Sequence, residues 1–324
     1  MEKTNGIEIT NIILIIVSAI FAFICPFQTF LLVYAFLGPL HYLTEINWLQ
    51  QRNYFLENKK NIYYLFVPIL IIGSIVYIPS LFELKPIIPF LIFFTFLVSI
   101  FNLTEDIKLY KNWKFIALLI IGIAAFFLSL RGTKQSNYFH TLFSIFLPSL
   151  IHVFIFTGIF ILSGFLKTRN KWSLLTFITF LTMSILLLYF NYNNLILEEN
   201  ILSKYQSFEK LNQVMLSIFG EENTSKQSIY FSNFGVKLMQ FIAFAYTYHY
   251  LNWFSKTAII QWYKTTKTKI SIIILIWILS VLLYLNNYKT GLYWLYLLSL
   301  THVVLEFPLN ITSVKKLFKK QSYQ

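Results

Sequence analysis

About ten apolar runs, each of roughly 17–25 residues, follow one another along this chain, and each is long enough to cross the hydrocarbon core of a bilayer. The runs do not alternate between apolar and polar residues, as the strands of a membrane barrel would. Because lipid offers no hydrogen-bond partner to the backbone, such runs must form helices. The sequence therefore predicts an all-α, polytopic transmembrane helical bundle, with residues 1–324 forming a single integral membrane domain.

The apolar runs and the residues that interrupt them predict ten helices. Pro26 separates the first two, and Asn286 and Asn287 precede the last. The predicted helices cover residues 8–25, 27–50, 62–80, 86–103, 113–131, 138–166, 172–192, 231–254, 269–287 and 291–313.

The positive charges predict the orientation of the chain. Of the 26 lysines and arginines, 18 fall on one set of alternate connections, 7 fall on the other, and Lys237 lies just inside the eighth predicted helix. Short cytoplasmic loops are enriched in these residues, so we expect both termini in the cytoplasm and the chain in a bacterial inner membrane. The net charge of +13 then reflects this topology and attraction to anionic membrane lipids, and it does not predict nucleic-acid binding.

One long connection, 193–230, is predicted on the extracytoplasmic side. Apolar residues recur in it at the spacing of an amphipathic helix, and Gly220 follows them. The recurring positions are Leu197, Ile201, Tyr205, Phe208, Leu211, Met215 and Ile218. This helix either packs on its neighbours as a plain connection or acts as a lid over an opening for a hydrophobic substrate.

Four histidines, His41, His152, His249 and His302, each stand alone inside an apolar segment. Histidine is costly at membrane depth and rarely accidental there. All four lie on even-numbered predicted helices, which run in the same direction. Helical rise places them at similar depths, and ordinary helix tilt can bring them into one layer of the membrane. One at a time they are explained by hydrogen bonds between helices, but together they predict one shared metal centre. The fifth, His140, is expected at the membrane interface.

Two glutamates strengthen this prediction. Glu45 follows His41 by four residues, and Glu306 follows His302 by four, so each pair shares one helical face. A carboxylate there can accept the second N–H of a metal-bound imidazole. Alternatively the glutamates are ligands themselves, which would allow two metal ions.

Two more polar residues near the same layer, Thr44 and Asn252, are candidates to hydrogen-bond the imidazoles. They are equally explained as ordinary residues near the ends of membrane helices.

The ligand type narrows the choice of metal. Cys25 is the only cysteine, so there is no thiolate cluster, and neutral imidazoles suit iron, zinc or copper. Ferrous iron is favoured because open coordination positions would leave room for dioxygen. Two histidine pairs holding two haems are the competing arrangement, but haem would leave the glutamates unexplained.

The histidine set and the segment Gly38–His41, in which Gly-x-x-His is followed by the acid Glu45, resemble the Brp/Blh-type bacterial membrane β-carotene 15,15′-dioxygenases. The chain differs from that family's pattern in two places. Its first acid comes four rather than three residues after the histidine, and His249 and His302 do not form the family's His-x-x-x-His pair.

This resemblance implies a membrane-embedded non-haem iron oxygenase that cleaves a lipophilic polyene such as a carotenoid with dioxygen to give retinal. In such an enzyme His41, His152, His249 and His302 would hold Fe²⁺, and no catalytic residue would be needed beyond the metal centre. Two other classes stay open: an intramembrane metal or proton transporter, and a lipid-modifying membrane transferase.

Overall fold

The described chain is helical almost throughout. The computed structural model describes residues 2–52, 62–102, 112–130, 137–190, 197–221 and 224–318. Of these residues 92% are helical, and none of them is in a β-strand. The all-α prediction is confirmed for this part of the chain. Parts of the predicted connections, including residues 193–196, lie outside the described residues.

Fifteen α-helices account for most of the described residues. They are α1 (Glu2–Ile24), α2 (Pro26–Arg52), α3 (Tyr63–Tyr77), α4 (Ile88–Asn102), α5 (Trp113–Leu130), α6 (Asn137–His140), α7 (Thr157–Thr168), α8 (Lys171–Tyr189), α9 (Glu199–Tyr205), α10 (Glu209–Ile218), α11 (Lys226–Phe231), α12 (Asn233–Ser255), α13 (Thr257–Ile260), α14 (Lys267–Asn286) and α15 (Tyr288–Phe318). A 3₁₀-helix covers Pro79–Ile87, another covers Gln206–Phe208, and a π-helix covers Thr141–Phe156.

Seven stretches of the described residues are long and apolar enough to cross a membrane, which indicates a membrane protein. They are Asn5–Ile24, Pro26–Arg52, Pro79–Phe101, Tyr138–Thr168, Lys171–Tyr189, Lys267–Asn286 and Tyr288–Leu317. Tyr63–Tyr77 and Trp113–Leu128 are apolar but shorter. A helix lies in each of the ten predicted segments, while ten crossings and cytoplasmic termini stay predictions.

Proline explains why one predicted boundary differs. The third predicted helix, 62–80, ends instead at Tyr77, and Ile78 is extended with φ −98° and ψ 111°. A residue before proline is biased away from the α conformation, and Pro79 follows Ile78 directly. The 3₁₀-helix then leads into α4.

The chain divides into two compact units. Unit 1 comprises Met1–His41 and Leu150–Ser271, and unit 2 comprises Tyr42–Ser149 and Ile272–Gln324. All three divisions fall inside helical stretches, the first in α2, the second in the π-helix and the third in α14. That residues 1–324 form a single membrane domain stays a prediction.

Unit 1 is built around α12. This helix packs on α1, α8, α10 and α11, and most of its residues are buried. Hydrogen bonds join it to α1: Ser255 Oγ donates to Asn11 Oδ1 at 2.7 Å, and Gln240 Nε2 donates to the Phe23 carbonyl at 3.1 Å. Such polar contacts hold helices together where the hydrophobic effect is weak.

The predicted amphipathic helix is two helices, α9 and α10, joined by the short 3₁₀-helix. Its predicted apolar side includes Tyr205, Leu211 and Met215, which are buried, whereas Ile218 is exposed. Phe208 packs edge-on against Phe30 of α2, with ring centres 4.9 Å apart. The segment ends near Gly220, whose φ of 86° suits glycine. A lid role for this connection stays a prediction.

Unit 2 is built around α15, which packs on α3 and α4, while α4 packs on α5. The helices approach closely at small residues. Gly291 faces the backbone of Tyr284 on α14, where a side chain would overlap it. Trp294 Nε1 donates to Ser280 Oγ at 2.7 Å across the same pair of helices.

Candidate metal centre

In unit 1, α2 and α12 bring His41 and His249 into contact. Both side chains are buried, with at most 7% of their surface exposed. Their ring centres are 4.8 Å apart at an interplanar angle of 79°. One ring nitrogen of each lies within 4.8 Å of the other.

The π-helix adds His152 to this pair. The buried His152 ring lies 4.9 Å from the His249 ring, at 67°. Hydrogen bonds in a π-helix join residues five apart, so this winding brings residues five apart, such as His152 and Thr157, onto one side. An α-helix would separate them, since only residues three or four apart are neighbours on its surface. Both residues contact His249.

The ring spacings match those of imidazoles that share a metal ion. With metal–nitrogen bonds of about 2.1 Å, and ring centres about 1.2 Å further out, two imidazoles on one ion have centres roughly 4.5–5.3 Å apart. The two observed spacings are 4.8 and 4.9 Å. His249 therefore lies from His41, and from His152, at a spacing that suits two imidazoles on one ion.

The two nitrogens of His249 have different surroundings. Nδ1 is hydrogen-bonded to Thr157 Oγ1 at 2.8 Å. Nε2 is buried, and no hydrogen-bond partner for it occurs among the residues that the structure describes. When Nδ1–H donates to Thr157, the lone pair of Nε2 becomes available to a metal ion. A buried imidazole nitrogen in this state fits a metal ligand.

Aromatic rings enclose His41. The ring of Tyr250 lies 5.2 Å away, and that of Trp253 lies 5.6 Å away at 80°. Both residues belong to α12 and are buried. Their rings present largely apolar surface beside His41.

Unit 2 holds the other predicted site residues. His302 and Glu306 lie four residues apart on α15, with a ring nitrogen and a carboxylate oxygen within 4.8 Å. The carboxyl groups of Glu45 and Glu306 are hydrogen-bonded to each other. The ring of Tyr42 stacks on His302, with centres 4.3 Å apart at 23°. All of these side chains are buried.

The predicted set is thus distributed over both units. In unit 1 His249 contacts both His41 and His152, and in unit 2 Glu306 lies beside both His302 and Glu45. That all four histidines bind one ion stays a prediction.

The remaining predicted residues lie as follows. Thr44 is buried in α2, and Asn252 is buried in α12, where its Oδ1 accepts a long hydrogen bond of 3.4 Å from Tyr248. Their predicted bonds to the imidazoles stay predictions. His140 is exposed at the end of α6.

The sequence did not point to Thr157 or Tyr42. Thr157 follows His152 by five residues, a spacing that carries no signal unless the helix is known to be π-wound. Tyr42 is one of 21 tyrosines, so its type alone does not distinguish it.

The fold and site define a helical membrane protein with a buried histidine cluster that could bind a metal ion. Comparison of the chain with protein-family models, with curated proteins and with solved structures found no match.

Proposed function

We propose that this chain is a membrane-embedded non-haem iron oxygenase of the bacterial inner membrane, which cleaves a lipophilic polyene such as a carotenoid with dioxygen. The observation that carries the proposal is the buried trio of His41, His152 and His249. The His249 ring lies at a spacing that suits a shared ion from the His41 ring and from the His152 ring, and Nε2 of His249 has no hydrogen-bond partner among the described residues.

The donor set supports iron. Three neutral imidazoles without thiolate suit iron, zinc or copper, and iron is the metal of this group that commonly serves oxygenases. A ferrous ion bound there would supply the activation of dioxygen. In the single-centre arrangement predicted from the sequence, His302 adds a fourth imidazole, and Glu45 and Glu306 orient the rings.

The protein's own residues would position the ion and keep the site dry. Thr157 holds the His249 ring by its Nδ1 atom, which would leave Nε2 free to bind the ion. Tyr250 and Trp253 exclude water around His41 and offer apolar surface to a substrate without charge. The bilayer would deliver such a substrate directly.

The resemblance to the β-carotene dioxygenases suggests the reaction. The central carbon–carbon double bond of the polyene breaks, two carbonyl groups form, and both oxygen atoms come from one dioxygen molecule. No other reductant or oxidant is consumed. From β-carotene the products are two molecules of retinal.

Expression in a bacterium that makes β-carotene tests this proposal. We expect retinal from the wild-type chain and from His140→Ala, whose histidine is exposed, and at least tenfold less from His249→Ala. With ¹⁸O₂, both retinal molecules should carry the label. Unchanged β-carotene in cells that contain the folded, iron-loaded protein would exclude carotene cleavage and favour the transporter or transferase alternatives.

A further inference from the structure

We propose that Tyr230 and Glu209 form a redox-active pair, in which Tyr230 gives one electron to a one-electron oxidant while its phenolic proton moves to Glu209. Both residues lie in unit 1, in the connection between α8 and α12. The pair itself does not depend on the oxygenase. Only its use by that enzyme, as the end point of oxidising equivalents from the histidine cluster, rests on the proposed function.

The hydroxyl group of Tyr230 faces a carboxylate. It donates to Glu209 Oε1 at 2.6 Å, and its second contact, with the Leu202 carbonyl, is longer at 3.5 Å. Both side chains of the pair are buried, with 4% of Tyr230 and 6% of Glu209 exposed. Burial shields a radical at Tyr230 from reaction with solvent, and the short hydrogen bond gives the proton a defined destination.

The chemistry of the step requires a base at the tyrosine. Loss of an electron makes a phenol strongly acidic, and Glu209 is placed to take the proton. It is the first residue of α10, where the helix dipole stabilises the negative charge of a carboxylate. In the step the Tyr230 O–H bond breaks, the proton binds to Glu209 and the electron passes to the oxidant. The products are a neutral tyrosyl radical and a neutral carboxylic acid, and one electron from a reductant reverses the step.

A neighbouring tyrosine shows why the radical belongs at Tyr230. The ring of Tyr205 lies 6.2 Å from that of Tyr230 and is also buried. Its hydroxyl group, however, donates to Asn212 Oδ1, at 2.6 Å. An amide oxygen accepts a hydrogen bond but is too weak a base to take the proton. Oxidation is therefore less favourable at Tyr205, and Tyr230 becomes the resting place of the radical.

A continuous run of aromatic rings joins the pair to the histidine cluster, which a purely structural hydrogen bond does not explain. Consecutive ring centres along the run are 5.0–6.2 Å apart. Electrons tunnel readily between rings at such separations. Four of the rings are tyrosines that can carry the charge, and a phenylalanine bridges two of them. The run consists of His41, Tyr250, Tyr246, Phe30, Tyr205 and Tyr230.

The test is photo-oxidation of the purified, full-length protein in detergent by tris(bipyridine)ruthenium(III), followed by electron paramagnetic resonance. We expect a long-lived tyrosyl radical in the wild type and loss of most of it in Tyr230→Phe. Glu209→Gln should shorten the lifetime at least tenfold, because an amide cannot take the proton. The matched control is Tyr205→Phe, a buried neighbour whose loss should leave the lifetime unchanged. Size-exclusion chromatography shows which variants fold, and either variant of the pair decides the matter if the other does not fold.

The wild type supplies a further check that needs no variant. Because return of the electron moves the proton from Glu209 back to Tyr230, the radical should decay at least twofold more slowly in D₂O. An equal decay in D₂O and water would overturn the inference.

Two results with the variants would also overturn it. A wild-type radical in Tyr230→Phe or a wild-type lifetime in Glu209→Gln would leave a hydrogen bond that only joins α10 to α11. Loss of the radical in Tyr205→Phe but not in Tyr230→Phe would place it at Tyr205 instead. The ruthenium oxidant requires no metal ion in the protein, so a chain without iron would refute the oxygenase and leave the outcome of this test unaffected.

Discussion

Each histidine ring has two nitrogens, and in His249 a threonine engages only one of them. The bond from Thr157 Oγ1 to Nδ1 decides which nitrogen is left for a ligand. A residue with no metal contact can thereby determine how well the metal binds.

Thr157→Val tests that role. Valine has nearly the shape of threonine but no hydroxyl group, so the His249 ring loses its hydrogen bond and its fixed orientation. We expect metal affinity to fall about 10–100-fold, as is typical when a partner of a ligating histidine is removed. Thr157→Ser, which keeps the hydroxyl group, should retain most of the affinity in the same titration. Equal affinity in the valine variant would show that the bond does not position the ring.

Tyr205 lies in the connection between α8 and α12, and its burial should make the stability of the protein depend on pH. Burial raises the pKa of its phenol well above the ordinary value, and the nearby Tyr230 raises that pKa further, although its bond to Asn212 lowers it. The folded protein therefore keeps this proton to a higher pH than the unfolded chain does. The stabilisation is complete below about pH 10 and is lost as the pH rises above it.

Tyr205→Phe removes this titration. We expect thermal stability to decline less steeply above about pH 10 than in the wild type, measured as melting temperature across the alkaline range. Tyr138→Phe, which changes an exposed tyrosine, serves as the control and should leave the slope unaltered. An identical slope in the Tyr205 variant would contradict the link between burial and proton affinity.

The sequence identified some residues of the candidate site and missed others, for a physical reason. Histidines and glutamates stand out in apolar segments because their transfer into lipid is costly. Thr157 and Tyr42 are inexpensive in a membrane helix, so nothing in the sequence separates them from the many other threonines and tyrosines. Their roles come from helix rotation, which only the structure reveals.

Among the helices, the junction of α11 and α12 depends on a glycine. Ser232 caps α12 by accepting a hydrogen bond from the Gly235 amide at 2.9 Å. A methyl group on Gly235 would overlap the carbonyl oxygens of Ser228 and Ile229. These are backbone atoms, so relief requires the helices to move apart.

Gly235→Ala should therefore destabilise the protein, by about 1–3 kcal/mol as for other overpacked sites. The matched control is Gly164→Ala in α7, where an added methyl group meets no atom within 4 Å. Alanine favours the helix there by up to about 1 kcal/mol. Unfolding in increasing fractions of denaturing detergent measures the stability of both variants. Equal midpoints for Gly235→Ala and Gly164→Ala would refute the close backbone contact at Gly235.

Helix positions were predictable because apolar length and proline mark them, but helix type was not. The sixth predicted helix, 138–166, is helical as expected, yet Thr141–Phe156 within it is π-wound. Pro148 lacks the N–H that α-helical bonding would use, which loosens the α pattern without specifying the π one. The contacts that Thr157 and His152 share with His249 depend on this winding.

For the full chain, the distribution of lysine and arginine predicts cytoplasmic termini. A fusion of green fluorescent protein to the C terminus should fluoresce, because this reporter folds in the cytoplasm, and a fusion of alkaline phosphatase there should be inactive. The pattern should reverse for reporters placed after residue 221, in the connection predicted outside. Fluorescence at both positions would contradict the predicted orientation.

The metal content of the purified protein tests most directly whether the histidine cluster binds a metal. Mass spectrometry of the wild type and His140→Ala should find near-stoichiometric iron, and the same measurement on His41→Ala, His152→Ala and His249→Ala should find several-fold less. Two results would contradict metal binding by the histidine cluster. One is wild-type protein without near-stoichiometric iron, zinc or copper, and the other is unchanged metal content in the three folded variants.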